Sequence, residues 1–359
     1  MLKAAEVAQA RFHIPSLDGL RTFSFGIVFI AHAGLGNIVP GGFGVTVFFF
    51  LSGFLITTLM RQEWQKTGTV SLRHFYIRRA LRILPPFYLV LFVACALTAA
   101  GMLPGQLGLH AVLAQALHVA NYWVVAHGPV GFAPGTGVYW SLAVEEHFYF
   151  LFPLLYLLLR RLGASPARQA WALLSLCAAI LLWRCVLVFG FHSAEDRTYV
   201  ASDTRFDSIL FGCLLAVYGN PILDAPKKSE FFWKYALLPL SICGLLASFL
   251  LRDPRFRETF RYSLQGIALI PVFVCAVRYP TWGVMRVLNY RPVVFVGGLS
   301  YSLYLIHQIV FIAFEEHLGA TTGLLFRSLA TLAVSLLLAW LVQVTIEKPC
   351  ARLRRRFSD

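Results

Sequence analysis

Arg21 and His32 stand eleven residues apart, in a stretch that opens Ile14-Pro15-Ser16-Leu17-Asp18-Gly19-Leu20-Arg21 and continues as apolar sequence. At about 100° per residue this separation is about three turns plus 20°, so on one helix both side chains leave the same face, about 16 Å apart along the axis. A guanidinium at the mouth and an imidazole at depth suit a ligand with a phosphate-rich head and a reactive far end. The pair equally reads as a charged anchor and a hydrogen-bonded core histidine. Spacing alone leaves both readings open.

Four further constellations have usable chemistry. Arg73, His74, Arg78, Arg79 and Arg82 cluster before an apolar run. Arg78 and Arg82, four apart, are expected on one helix face, where guanidinium forks suit phosphates; simple anchoring by positive charge is the alternative. Ser141, Glu145 and Tyr149 recur every four residues and line one face. On that face Glu145 could orient His32, bind an acceptor hydroxyl, or pair structurally with Arg184 or Arg205, while His147 falls off the face and reads as structural. Arg205 and Asp207 read as a charge pair or a sugar contact. Ser300, Tyr304 and His307 share a face at i, i+4, i+7, with His307 at a depth similar to that of His32. It reads as a polar group near an acceptor or as a satisfied bundle histidine. Gly41, Gly42 and Gly44, with Ser52 and Gly53, read as sites of close helix contact. No phosphate-loop or metal-binding pattern occurs, so no metal is expected.

The elements that must position these groups are membrane helices. Of 359 residues, 58% are hydrophobic and 13% charged, against about 25% charged in a soluble domain; mean hydropathy is +0.69. These values exclude a soluble enzyme, a disordered chain and a disulfide scaffold. The seven cysteines form no C-x-x-C pair and read as small packing residues. Residues 1–19 lack the apolar core of a signal peptide. Apolar windows near 20–38, 42–60, 83–103, 139–159, 171–191, 204–219, 235–251, 262–278, 293–314 and 323–345 predict ten spans, the third opened by Pro85 and Pro86. The Gly- and Pro-rich stretch 104–138 is expected as an outer loop with a surface-lying or re-entrant helix.

With the N-terminus inside, inner segments hold 23 of the 31 Lys and Arg, among them Lys3, Arg11 and Lys227, and outer loops hold 5. That is a positive-inside distribution. It accounts for the net charge of +14 without nucleic acid and predicts both termini in the cytoplasm. An eleventh span at 107–125 would place the basic tail outside. The expected architecture is an all-α polytopic protein, one transmembrane domain over 1–359. It has a cytoplasmic tail at 1–19, a basic cytoplasmic tail at 346–359 and no appended soluble domain.

The order of motifs is distinctive: Arg21-x10-His32, Phe48-Phe49-Phe50-Leu51-Ser52-Gly53-Phe54-Leu55, Phe75 to Pro85, Tyr139-Trp140-Ser141-Leu142-Ala143-Val144-Glu145, Arg205-Phe206-Asp207-Ser208, Leu299 to His307, and Ile346-Glu347-Lys348-Pro349. Over about residues 14–350 the chain resembles the acyltransferase-3 family of bacterial inner-membrane O-acyltransferases. The resemblance implies transfer of an acyl group, usually acetyl from cytoplasmic acetyl-CoA, to a hydroxyl of an extracytoplasmic glycan or glycolipid. It implies His32 as the catalytic histidine, either base or covalent carrier, with Arg21 as its essential partner in the motif and Glu145 at the family's Ser-Leu-x-x-Glu position. Arg78, Arg79 and Arg82 are then expected to contact coenzyme A, and Ser141, Tyr149, Asp207 and His307 the substrate. Some members add an extracytoplasmic domain that completes transfer; here a separate periplasmic partner would do so, if one is needed. Acylation of a small secondary metabolite such as a macrolide, and transport or flipping of a lipid-linked sugar, are the alternatives.

Overall fold

A computed structural model describes residues 14–226, 228–319 and 322–357; Lys3, Arg11 and Lys227 lie outside the described residues. The described residues contain no strand. They fold as helices α1 (Pro15–Ile30), α2 (Gly41–Thr67), α3 (Leu72–Ala99), α4 (Leu109–Ala116), α5 (Ala120–His127), α6 (Trp140–Arg161), α7 (Pro166–Cys185), α8 (Ser202–Val217), α9 (Leu238–Leu250), α10 (Phe260–Arg278), α11 (Arg291–Leu318) and α12 (Leu324–Val342). Wide π turns prolong α1 through Ala31–Leu35 and α7 through Val186–Gly190, and lead α12 into a tail helix at Lys348–Arg354. A helix coincides with each of the ten expected spans. Eight are long and apolar enough to cross a membrane by length and composition. The other two, α1 and α8, have 16 residues each and lie deep in the bundle.

Local chemistry sets the helix ends. Ser71 caps α3 by accepting from the His74 N–H at 3.3 Å, and Ser165 caps α7, with Pro166 at the first helical position where its missing N–H costs nothing. Gly68, at φ 71°, ends α2 in the left-handed conformation that a side chain resists.

Long-range bonds show which ends lie together. Arg61 donates to the Ala216 carbonyl and to Asp224, Arg278 to the Pro221 and Asp224 carbonyls, and Arg78 to the Phe357 carbonyl. These contacts define a basic end. At the opposite end Asn121 donates to Ser202, Trp183 to Asp203, and the His317 ring meets the Met102 carbonyl. The stretch 104–138 leaves from and returns to this second end. Its helices α4 and α5 have eight residues each, about 12 Å at 1.5 Å per residue, too short to cross a bilayer.

The core is drawn together by glycine. A Cβ on Gly212 would overlap the Phe50 carbonyl, and one on Gly53 the Ile209 carbonyl, so α2 and α8 touch backbone to backbone. Small residues permit such an approach where lipid supplies no hydrophobic drive for helix association.

One expectation fails at α3. Pro85 and Pro86 do not open a helix; they lie within one that begins at Leu72. The two prolines free the Leu81 and Arg82 carbonyls from their helical donors, which a membrane helix tolerates; one residue on, the Tyr301 hydroxyl donates to the Ile83 carbonyl at 2.9 Å and ties α3 to α11. In consequence the arginines at 73–82 sit on the rigid first turns of a long helix.

Candidate functional site

Between α1, α2, α3, α6 and α11 a cavity encloses about 740 Å³ of empty space, counting the part open to solvent. Arg21, Arg79 and Arg82 line it at the basic end, with Ser52, Glu145 and Tyr149 beside them and Ser141, Ser300, Tyr301 and Tyr304 farther in. Apolar walls come from Phe48, Phe49, Leu51 and Leu55.

The three guanidiniums are held differently. Arg21 bridges to Asp18 one turn earlier. Arg79 lies 5.2 Å from the Tyr149 ring centroid as a cation–π contact. Neither Arg79 nor Arg82 makes an ion pair among the described residues, and Arg82 is exposed. Cations without a carboxylate partner at a cavity mouth are available to a phosphate. Arg78 is not. It pairs with Glu63 at 2.9 Å and donates to the Phe357 carbonyl at 2.8 Å, so it ties α3 to α2 and to the tail. The expected pairing of Arg78 with Arg82 is thereby corrected: Arg79 and Arg82, three apart, share the cavity.

Ser141, Glu145 and Tyr149 all line the cavity, as their four-residue spacing requires. Glu145 accepts from Ser52 Oγ at 2.6 Å and neighbours the arginines. Of the roles left open for Glu145, neither a bond to His32 nor an ion pair with Arg184 or Arg205 is found among the described residues; Ser52 is its hydrogen-bond partner. His32 Nδ1 and His307 Nε2 are 2.9 Å apart. Their shared depth was legible from sequence; their direct bond was not. Neither histidine lines the cavity. Tyr304 connects the two regions, since it lines the cavity while its ring lies 5.9 Å from that of His307. Its hydroxyl is 2.7 Å from Ser141 Oγ and 3.0 Å from the Val138 carbonyl.

Asp207 lies elsewhere. It is fully buried in an ion pair with Arg184 at 2.7 Å and accepts from Ser263 Oγ at 2.9 Å. A carboxylate so enclosed cannot meet a sugar, and the expected substrate contact is corrected to a structural one. Arg205 does not pair with it in the way expected. Its guanidinium rests among the Phe49, Trp140, Tyr199 and Tyr262 rings, 4.1 Å from the last centroid. His147 is structural, 2.7 Å from Ser202 Oγ. Sequence reasoning missed Ser52 and Tyr301. Ser52 was visible as a lone hydroxyl in a Phe-rich run, yet its Gly53 neighbour pointed to packing alone.

A family model described as an acyltransferase domain matches residues 14–344. The chain belongs to the acyltransferase-3 family. It is 27% identical over 356 residues to the peptidoglycan O-acetyltransferase OatA of Listeria monocytogenes, covering 95% of this chain and 56% of that protein. It is 31% identical over 319 residues to the O-acetyltransferase OatA of Staphylococcus aureus, covering 84% and 51%. A third similarity, 29% over 308 residues and covering 83% and 50%, is to a putative O-acetyltransferase of Staphylococcus aureus. The chain thus spans about half the length of these curated relatives. No solved structure matches it. Within this acyltransferase-3 chain, the cavity and the histidine pair are built from the family-like motifs at 21–32, 48–55, 75–85, 139–149 and 299–307.

Proposed function

We propose that this protein is a membrane O-acetyltransferase that moves an acetyl group from cytoplasmic acetyl-CoA to a hydroxyl of an extracytoplasmic glycan or glycolipid. The observation that carries the reading is one cavity joining Arg79 and Arg82, neither in an ion pair among the described residues, at its mouth to Tyr304, the neighbour of the His32–His307 pair. The names of the O-acetyltransferase relatives support the choice of acetyl and of a glycan acceptor.

In this reading ten helices cross the inner (cytoplasmic) membrane of a bacterium, with the basic end and both termini in the cytoplasm, in keeping with the positive-inside bias. Arg79 and Arg82, with Arg21 behind them, hold the phosphates of coenzyme A. The apolar wall of Phe48, Phe49 and Leu55 covers the chain that leads to the thioester. His32 takes the proton from the acceptor hydroxyl as its oxygen attacks, or takes the acyl group itself; either route uses a ring nitrogen with a free lone pair. Glu145, fixed by Ser52, balances the arginines and shapes the inner wall with Ser141 and Tyr149. A separate extracytoplasmic partner could receive the product.

Purified protein in lipid, given labelled acetyl-CoA with and without a cell-wall glycan extract, tests this. Acceptor-dependent transfer that His32→Ala abolishes is expected. A folded protein that binds lipid-linked sugar and turns over no acetyl-CoA with any extract would move the assignment to a transporter.

A further inference from the structure

We infer that His307 is a positioning residue that fixes the tautomer of His32, so that His32 presents a bare Nε2 to the reaction; the catalytic consequence rests on the proposed role of His32. The argument runs through hydrogens. His307 Nδ1 lies 2.9 Å from the Tyr304 carbonyl and 3.1 Å from the Leu303 carbonyl of its own helix. A carbonyl only accepts, so Nδ1 must carry the hydrogen.

The His307 ring is 1% exposed, enclosed by Phe25, Phe29 and Tyr304. An imidazolium there would be a buried charge without a carboxylate, which is costly, so the ring is neutral and its Nε2 is bare. That nitrogen is 2.9 Å from His32 Nδ1, and the two ring planes lie within 15° with centroids 5.2 Å apart. This is the edge-to-edge arrangement in which an N–H points along a neighbour's lone pair. His32 Nδ1 therefore donates, and the free lone pair of neutral His32 sits on Nε2. Its ring lies in the π turn Ala31–Leu35, where Gly34 at φ 94° breaks regular helix geometry. A wide turn of this kind often marks a functional position.

The chemistry follows in balance. His32 Nε2 takes the proton of the acceptor hydroxyl while that oxygen bonds to the acyl carbon. The carbon–sulfur bond opens, and Nε2 returns the proton to the sulfur, leaving ester and free thiol. Throughout, His32 Nδ1–H remains donated to His307 Nε2, which keeps the ring orientation and supports the transient imidazolium.

Two measurements test this. The ¹⁵N spectrum of histidine-labelled protein in lipid, with His32 assigned by comparison with His32→Gln, is expected to show protonated Nδ1 and bare Nε2 at His32. In His307→Leu, turnover is expected to fall on the order of 10²–10⁴-fold, the range of general base catalysis, with the KM for acetyl-CoA little changed and thermal unfolding retained. His307→Gln, whose amide oxygen can accept from His32, recovers part of kcat. A bare Nδ1 at His32 in the wild-type spectrum, or full turnover in folded His307→Leu, overturns the inference. Full turnover in His32→Ala overturns instead the catalytic reading beneath it, while the spectrum still judges the tautomer by itself.

Discussion

Asp207→Leu separates a structural role from a substrate role. Asp207 and Arg184 are both fully buried and paired at 2.7 Å. Arg184 also donates to the Thr259 carbonyl at 3.0 Å, the Thr204 carbonyl at 2.5 Å and Ser263 Oγ at 2.7 Å. Removing the carboxylate leaves those neutral partners in place and strips the guanidinium of its countercharge. Breaking a buried pair from one side costs about 3–5 kcal/mol. Arg184→Leu does at least as much harm, because Asp207 retains only Ser263 as a partner. Replacing both with Leu removes both charges and leaves the Thr204 and Thr259 carbonyls short of a donor, about 1–3 kcal/mol each at most. The double variant is therefore expected to lose less stability than the two single losses added together.

Thermal unfolding in detergent, followed by a thiol-reactive dye that reaches buried Cys177, Cys213 and Cys275 only on opening, reads this cycle. A fully stable Asp207→Leu whose KM for the acceptor alone has risen would refute the structural reading and restore the sugar contact.

Arg79→Gln and Arg82→Gln are each expected to raise the KM for acetyl-CoA on the order of 10-fold or more, since a charge-assisted bond contributes about 1.5–3 kcal/mol. Arg78→Gln, already engaged with Glu63, leaves that KM unchanged; steady-state kinetics in proteoliposomes distinguish the three. Gly212→Ala, which drives a methyl into the Phe50 carbonyl, is expected to lower stability by about 1–3 kcal/mol in a detergent unfolding series, whereas Gly137→Ala, with open space around it, is neutral. In the basic-end loop, burial raises the Asp224 carboxyl, but the Arg61 hydrogen bond and charge and the Gly219 and Asn220 N–H groups outweigh it and hold the pKa below the usual value. The stability it supplies is thus present above about pH 4 and lost as pH falls through the depressed value. Asp224→Asn should be less stable than wild type at pH 7 and should flatten this acid loss, as unfolding midpoints taken between pH 7 and pH 3 will show.

Ten apolar stretches were legible as helices because burying a backbone in lipid demands internal hydrogen bonding and leaves long uninterrupted runs. The face shared by Ser141, Glu145 and Tyr149 was legible for the same reason, since a helix repeats its direction every three to four residues. The equal depth of His32 and His307 followed from counting along two spans. What periodicity could not supply was the neighbour. Arg78 and Arg82 met the four-residue rule, yet Glu63 and the tail claim Arg78, and Arg79 turns to the cavity instead. Asp207 looked like the partner of the arginine two residues before it, yet α7 delivers Arg184 to it across the bundle. Sequence by itself determined the membrane class, the helices, the charge asymmetry and the candidate residue types, because these depend on local composition and spacing. Only the tertiary structure decided which polar groups meet. Inside the bundle a buried donor can take only an acceptor that close packing brings within hydrogen-bond reach, and which one that is depends on residues far along the chain, as His32 and His307 show.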